Sequence, residues 1–213
     1  LGERGNEGFP FFTWNLSWSG LEKLPLVNKV FKSFSLNHVY TGDQNKTLQE
    51  SEIQNEDYTR SFSPLIGFTA KTKGEHPVDL SLNFKHTLNV QNSDATTSRT
   101  TQNGVNGSLR YRRQGGVNIP IFFFRDFDIT NDITFDLQLS YDETNQYDRY
   151  TFDGEFQPKD LKKNLSITPK ISYNFTRWVN GGIHFKYSFH DDQFNGKRTE
   201  KDFGFDVHIK IQG

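Results

Sequence analysis

Residues 78–91 read Val-Asp-Leu-Ser-Leu-Asn-Phe-Lys-His-Thr-Leu-Asn-Val-Gln. Val78, Leu80, Leu82, Phe84, Leu88 and Val90 form an apolar row interrupted only at His86. Asp79, Ser81, Asn83, Lys85, Thr87, Asn89 and Gln91 form a wholly polar one. A period of two places these rows on opposite faces of a β-strand, one face in an apolar medium and the other in water. At about 3.3 Å per residue a strand of about 14 residues covers roughly 46 Å, against the 5 or 6 residues usual in soluble proteins. A tilted strand crosses a bilayer in about 9 to 11 residues, so this one crosses and projects beyond.

The same alternation recurs along the chain. Phe12, Trp14, Leu16 and Trp18 oppose Thr13, Asn15, Ser17 and Ser19, with both Trp rings on the apolar row where a membrane interface would hold them. Phe34, Leu36, His38 and Tyr40 repeat it over residues 33–41, and Phe62, Ile66, Phe68 and Ala70 over 60–72, where Pro64 removes a ladder donor. A fifth strand ending at Arg113 sets Val105, Gly107, Leu109 and Tyr111 against Ser108, Arg110 and Arg112. The sixth, over 129–142, sets Ile133, Phe135, Leu137, Leu139 and Tyr141 against Thr134, Asp136, Gln138 and Ser140. The seventh carries Leu165, Ile167, Ile171, Tyr173 and Phe175, with Pro169 among them. The eighth opposes Ile183, Phe185, Tyr187 and Phe189 to His184, Lys186, Ser188 and His190, and the ninth Phe203, Phe205, Val207, Ile209 and Ile211 to Asp206, His208, Lys210 and Gln212.

Between these strands, residues 42–59, 92–102, 143–163 and 191–200 are polar or charged and read as long loops, whereas 73–77 and 177–181 read as tight turns. The helical spacing of Leu24, Leu26, Val27, Val30 and Phe31 predicts a short amphipathic helix over about residues 22–32, with Pro25 in its first turn. Residues 114–128, with the run Ile121-Phe122-Phe123-Phe124, break the rhythm and read as a rim segment with its aromatics at the interface or beneath a barrel.

Composition agrees with a membrane barrel. Only 33% of the 213 residues are hydrophobic and mean hydropathy is −0.75, but a spanning strand shows lipid only every second residue. No run is long and apolar enough for a spanning helix. A net charge of −1 gives no sign of a nucleic-acid partner. The absence of Met and of a leader before Leu1 predicts an internal or C-terminal piece of a longer protein.

The fold expected is therefore all-β: an antiparallel up-and-down transmembrane β-barrel, to whose larger wall residues 1–213 supply about nine long strands. Long loops on one side and short turns on the other suit a bacterial outer membrane with a periplasmic C-terminus. Nine strands do not close a single-chain bacterial barrel, so both borders require strands from the missing part of the barrel or another chain. The lumen-lining set is Asn15, Lys85, Arg110, Arg112, Asp136 and Gln138, with His184, Lys186, Asp206, His208 and Lys210. The lipid-facing or aromatic-belt set is Phe12, Trp14, Trp18, Tyr40, Phe84, Tyr111, Tyr141, Tyr173, Tyr187 and Phe205.

Chemistry-bearing patterns are few. His184, His190 and His208 fall on neighbouring strands without metal-ligand spacing and read as polar lining. Asp126, Asp128, Asn131 and Asp132 lack the spacing and Gly of an EF-hand. Arg110, Arg112 and Arg113 read as lumen and rim residues rather than a phosphate or lipopolysaccharide site. No nucleophile elbow or phosphate loop is present, and neither enzyme activity, cofactor nor metal is expected.

The stretch from Trp14 to His38, with Gly20-Leu-Glu-Lys-Leu-Pro25 and Ser35-Leu-Asn-His38, resembles the C-terminal region of the type IX secretion system outer-membrane translocon, the SprA/Sov family tied to gliding motility. Phe62-Ser-Pro-Leu-Ile-Gly67 and the region from Tyr111 into Ile119-Pro-Ile-Phe-Phe123 are also similar to that family. The resemblance implies a protein-conducting channel that exports folded cargo, gliding adhesins included, with a plug protein, a PorV-type barrel and outer-membrane lipid as partners. This chain departs from the usual terminal aromatic of outer-membrane barrels, since it ends Ile211-Gln212-Gly213. Read from the residues without the resemblance, a TonB-dependent transporter or a lipopolysaccharide-assembly barrel is the alternative.

Overall fold

The computed structural model describes residues 12–49, 52–93, 96–115, 117–121, 124–129, 131–150, 154–176 and 178–210. Its strands are β1 (Thr13–Trp18), β2 (Phe31–Gln49), β3 (Glu52–Thr72), β4 (Val78–Ser93), β5 (Thr97–Arg113), β6 (Val117–Ile121), β7 (Phe124–Ile129), β8 (Ile133–Arg149), β9 (Gln157–Asn174), β10 (Val179–Asp192) and β11 (Gly196–Ile209). Nine of them form one sheet in the order β1-β2-β3-β4-β5-β8-β9-β10-β11, every neighbour antiparallel. β6 and β7 pair only with each other, as a hairpin between β5 and β8. The fold is thus all-β and up-and-down, with the nine sheet strands where alternation placed them.

Three expectations change. Residues 42–59, 92–102, 143–163 and 191–200 are not long loops, because strands run through most of them: β2 and β3 reach 19 and 21 residues and face each other as far as Gln49 and Glu52. A backbone ladder needs no apolar face, so these hairpins extend without alternation in their sequence. Cross-strand polar pairs support it, as where Lys46 Nζ lies 3.1 Å from Glu56 Oε1 on the adjacent strand. The helix expected over 22–32 is a 3₁₀ turn, Leu21–Lys23, followed by successive turns. The isolated bonds Leu24 O to Asn28 N and Val27 O to Phe31 N do not propagate, since a helix this short nucleates poorly without a packed face. The rim segment holds the β6–β7 hairpin, and the placement of its aromatic side chains lies outside the described residues.

Register is unbroken where it matters most. β4–β5, β5–β8 and β10–β11 pair without a shift. β3 carries a bulge around Pro64, which shifts its register against β4 between Phe62 and Ile66 and against β2 between Asn37 and Tyr40. At one end of the sheet the long hairpins close. At the other lie the turn of residues 73–77 and the Thr176 turn, whose hydroxyl accepts the Trp178 and Val179 N–H groups at 3.1 and 3.0 Å.

The β10–β11 hairpin closes through Gln193, Phe194 and Asn195, with Gly196 in the left-handed region at φ 72°. Asp192 Oδ1 accepts the backbone N–H groups of Phe194 and Asn195, both at 2.9 Å. Those two donors hold the Asp192 carboxyl below its ordinary range. The folded hairpin therefore favours the carboxylate, and its stabilisation is complete above the unfolded value of about 3.9 and lost as pH falls through the lower folded value. Amide protection at Phe194 and Asn195 is expected to hold down to about pH 4 and then fall, while Asp192→Asn removes that dependence. Identical pH profiles for the two proteins in hydrogen exchange would contradict the turn's role.

Candidate functional site: two faces of one sheet

The registers collect the side chains into cross-strand rungs. On one face Phe34, Ala70, Leu80, Leu109, Leu137 and Pro169 form a rung, and Leu36, Phe68, Leu82, Gly107, Leu139 and Ile167 the next. Ile66, Phe84, Val105, Tyr141 and Leu165 follow. The continuous apolar band is then interrupted: Phe62, His86, Asn103, Glu143, Lys163, Asp191 and Lys197 share the next rung. His86 is where the apolar row of β4 breaks, and its Nδ1 lies 2.7 Å from Asn103 Oδ1. From Ile133 to Tyr141, or Tyr173 to Leu165, the band is about nine residues tall. At about 3.3 Å per residue and a tilt near 40° that is roughly 23 Å, close to the ~25 Å apolar band of outer-membrane barrels.

Nothing among the described residues covers this band. Among all the described residues the buried apolar side chains are Tyr40, Tyr58, Ala70 and Val90, and Tyr58 and Val90 lie above the band, while Phe203, Phe205, Val207 and Ile209 are 58–78% exposed. A lone sheet has no core, so its apolar face must meet something else.

Phe12, Trp18, Phe84 and Phe205 stand exposed on this face, and Trp14, Tyr111, Tyr141, Tyr173 and Tyr187 are half-buried on it. Tyr40 differs from expectation. It lies on the apolar face but is fully buried, its ring 4.2 Å from that of Trp14 and 4.8 Å from that of Phe62, so its neighbours and not Tyr40 present the outer surface. His38 sits within the band. Its Nδ1–H donates to the Leu65 carbonyl at 2.5 Å, a group in the stretch where the β3 bulge interrupts the ladder.

The opposite face carries Asn15, Gln138, Lys186 and the other expected lumen residues, and many of its charges are paired, though Lys186 and Lys210 make no ion pair among the described residues. Lys71, Asp79, Arg110, Asp136, Lys170 and His184 are successive members of one rung crossing six strands. Lys71 Nζ is 3.1 Å from Asp79, and Arg110 Nε is 2.5 Å from Asp136. Lys170 reaches past its neighbour to Asp206 at 2.9 Å. Arg112 bonds Asp132 at 2.5 Å near the turn end. Higher up, Lys85 pairs with Asp142 at 2.5 Å across the intervening strand β5. Between the charged levels lie Ser81, Asn83, Asn106, Ser108, Gln138, Ser140, Ser166 and Thr168, lining a depression of about 290 Å³.

Glycine permits the two-strand reaches. Gly104 stands between Lys85 and Asp142 in the rung, where a Cβ would overlap the Lys85 chain, and Gly182, whose rung partners are Ser172 and Asp206, lies under the diagonal reach of Lys170 to Asp206, where a Cβ would crowd both side chains. Sequence reading missed these pairings, although a Gly inside an alternating strand was their signal.

The histidines do not converge. His184 Nε2 is 3.7 Å from Asp202, His208 Nε2 is 3.2 Å from Asp206 and His190 Nδ1 is 2.7 Å from Asn164. Among the described residues no group of three or more His, Asp or Glu is placed to hold a metal ion. At the acidic run, Asp132 faces Arg112 and the Gly115 N–H, while the side chains of Asp126 and Asp128 lie outside the described residues.

No protein-family model matches the chain, and no curated protein does. Among solved structures, the ferric yersiniabactin uptake receptor FyuA from Yersinia pestis matches with a TM-score of 0.35 and 10% identity, over 92% of this chain and 40% of the receptor. The chain thus spans well under two thirds of that receptor's length.

Two substitutions separate the faces. Leu137→Arg is expected to cost about 2–4 kcal/mol in denaturant titration from lipid, and Gln138→Arg on the polar face close to nothing. Equal costs would remove the distinction. In a double-mutant cycle, Gly104→Ala and Lys85→Ala should each cost no more than about 1 kcal/mol and be non-additive, because both break the pair to Asp142; full additivity would refute the role given to Gly104.

Proposed function

We propose that this chain is part of the wall of a large outer-membrane β-barrel with an aqueous lumen, and that the barrel conducts protein in type IX secretion. One observation supports the first half: an uncovered apolar band about as tall as a bilayer core, backed by a face of paired charges and hydroxyls. Lipid satisfies the first face and water the second.

The edges support a wall rather than a complete barrel. Among the described residues β1 pairs only with β2, and β11 only with β10. Unpaired backbone groups in lipid cost several kcal/mol each, so further strands are proposed to pair with both borders. The polar face also suits conduction of polypeptide. Many of its charges are paired and the depression between them is lined mainly by Ser, Thr, Asn and Gln, which offers little adhesive surface to a folded cargo.

The secretion half rests on the resemblance at Trp14–His38, Phe62–Gly67 and Tyr111–Phe123. In this reading a plug protein and a PorV-type barrel are the partners. The long hairpins reach the cell exterior, and the turn end faces the periplasm.

Imaging of the detergent-solubilised native particle, combined with depletion of the protein in cells, tests both halves. The expected results are a closed barrel of more than nine strands with β1 and β11 both paired, and periplasmic accumulation of normally exported proteins. Bare borders would overturn the wall. Normal export with impaired uptake of a ligand would overturn secretion in favour of a TonB-dependent transporter.

A further inference from the structure

Above the rung of Glu143 and Lys163 the lipid-side face does not simply become hydrophilic. Across β3, β4, β5 and β8 the next rung but one holds Tyr58, Val90, Arg99 and Tyr147, and the one after it Glu56, Asn92, Thr97 and Arg149, with Glu56 already paired to Lys46. Arg99 and Arg149 are diagonal neighbours on adjacent strands and border one narrow cleft of about 10 Å³ with Tyr58, Val90 and Phe156. The Arg149 guanidinium lies over the Phe156 ring, 4.8 Å from its centroid. Stacking holds a guanidinium by its flat face and leaves its N–H edges available for a fork-like contact.

Two like charges this close repel unless an anion sits between them. Neighbouring cations at this end of the sheet have carboxylates: Lys46 has Glu56, Lys163 has Glu143 and Lys159 has Asp148. Among the described residues neither Arg99 nor Arg149 makes an ion pair.

On this basis, and resting on the membrane reading above, we infer that Arg99 and Arg149 bind a phosphate group on the headgroup of an outer-leaflet glycolipid. The headgroup class follows from height. Arg99 lies six residues beyond Val105, the last side chain of the apolar band on β5. That is about 20 Å along the strand and roughly 15 Å above the band at a 40° tilt. A phospholipid interface is only about 5–8 Å deep on each side. A phosphorylated saccharide headgroup extends far enough to meet both arginines, while its acyl chains lie against the band beneath.

The test uses the full-length protein extracted from its own outer membrane, with co-purified phosphorylated glycolipid measured per protein by mass spectrometry. Arg99→Gln together with Arg149→Gln should lower that ratio about tenfold, the scale of one lost charge-assisted hydrogen bond. Arg149→Lys, which keeps the charge but not the fork, should fall between. Heat-modifiable migration in gels verifies that each variant remains folded. Stripped protein should recover binding from glycolipid micelles and not from phospholipid vesicles or inorganic phosphate. An unchanged ratio in the folded double variant would overturn the inference while leaving the wall intact, as would equal binding of inorganic phosphate. A protein that needs no detergent would overturn the wall itself.

Discussion

A single sheet cannot bury its own apolar face. In this chain that constraint governs everything else, because the face is contiguous over nine strands and the described residues supply no second layer. The backbone hydrogen bonds are satisfied between strands, so the sheet is coherent. What it lacks is a partner for one surface and for its two edges. Lipid on the surface and further strands at the edges meet both needs with one architecture.

The polar face shows how such a wall stays rigid without a core. Adjacent strands are tied by direct pairs such as Arg110–Asp136, and alternate strands by longer reaches over Gly104 and Gly182. Each exposed pair is worth little alone. Their effect is to hold several long side chains of a wet surface in place, leaving Ser, Thr, Asn and Gln to line the space between.

Alternation made the strands legible wherever one row was apolar, as at Val78–Val90 and Ile133–Tyr141, because a period of two has physical meaning only when the two faces differ. It was silent at Asp43–Gln49 and along the outer part of β9, where both rows face water and only the backbone ladder maintains the strand. The segment from Leu24 to Phe31 misled for the opposite reason: its helical spacing is real, but Leu24, Leu26 and Val30 stay more than half exposed among the described residues, too little burial to propagate a helix. Tyr40 was placed on the correct face but not at the correct depth, since burial there depends on Trp14 and Phe62 from other strands. The charged rung was invisible, because it joins residues 71 to 184 and exists only once the register is known.

The account rests on which medium touches each row, and that is measurable position by position. The chain contains no Cys, so nitroxide labels at single introduced cysteines along Ile133–Tyr141, in the full-length protein in lipid, report local access to oxygen and to a water-soluble relaxant. The account predicts a period of two: oxygen-rich and relaxant-poor at residues 133, 135, 137, 139 and 141, and the reverse at 134, 136, 138 and 140. If the odd positions were shielded from both agents, a second protein layer would cover them, and the membrane wall would be wrong.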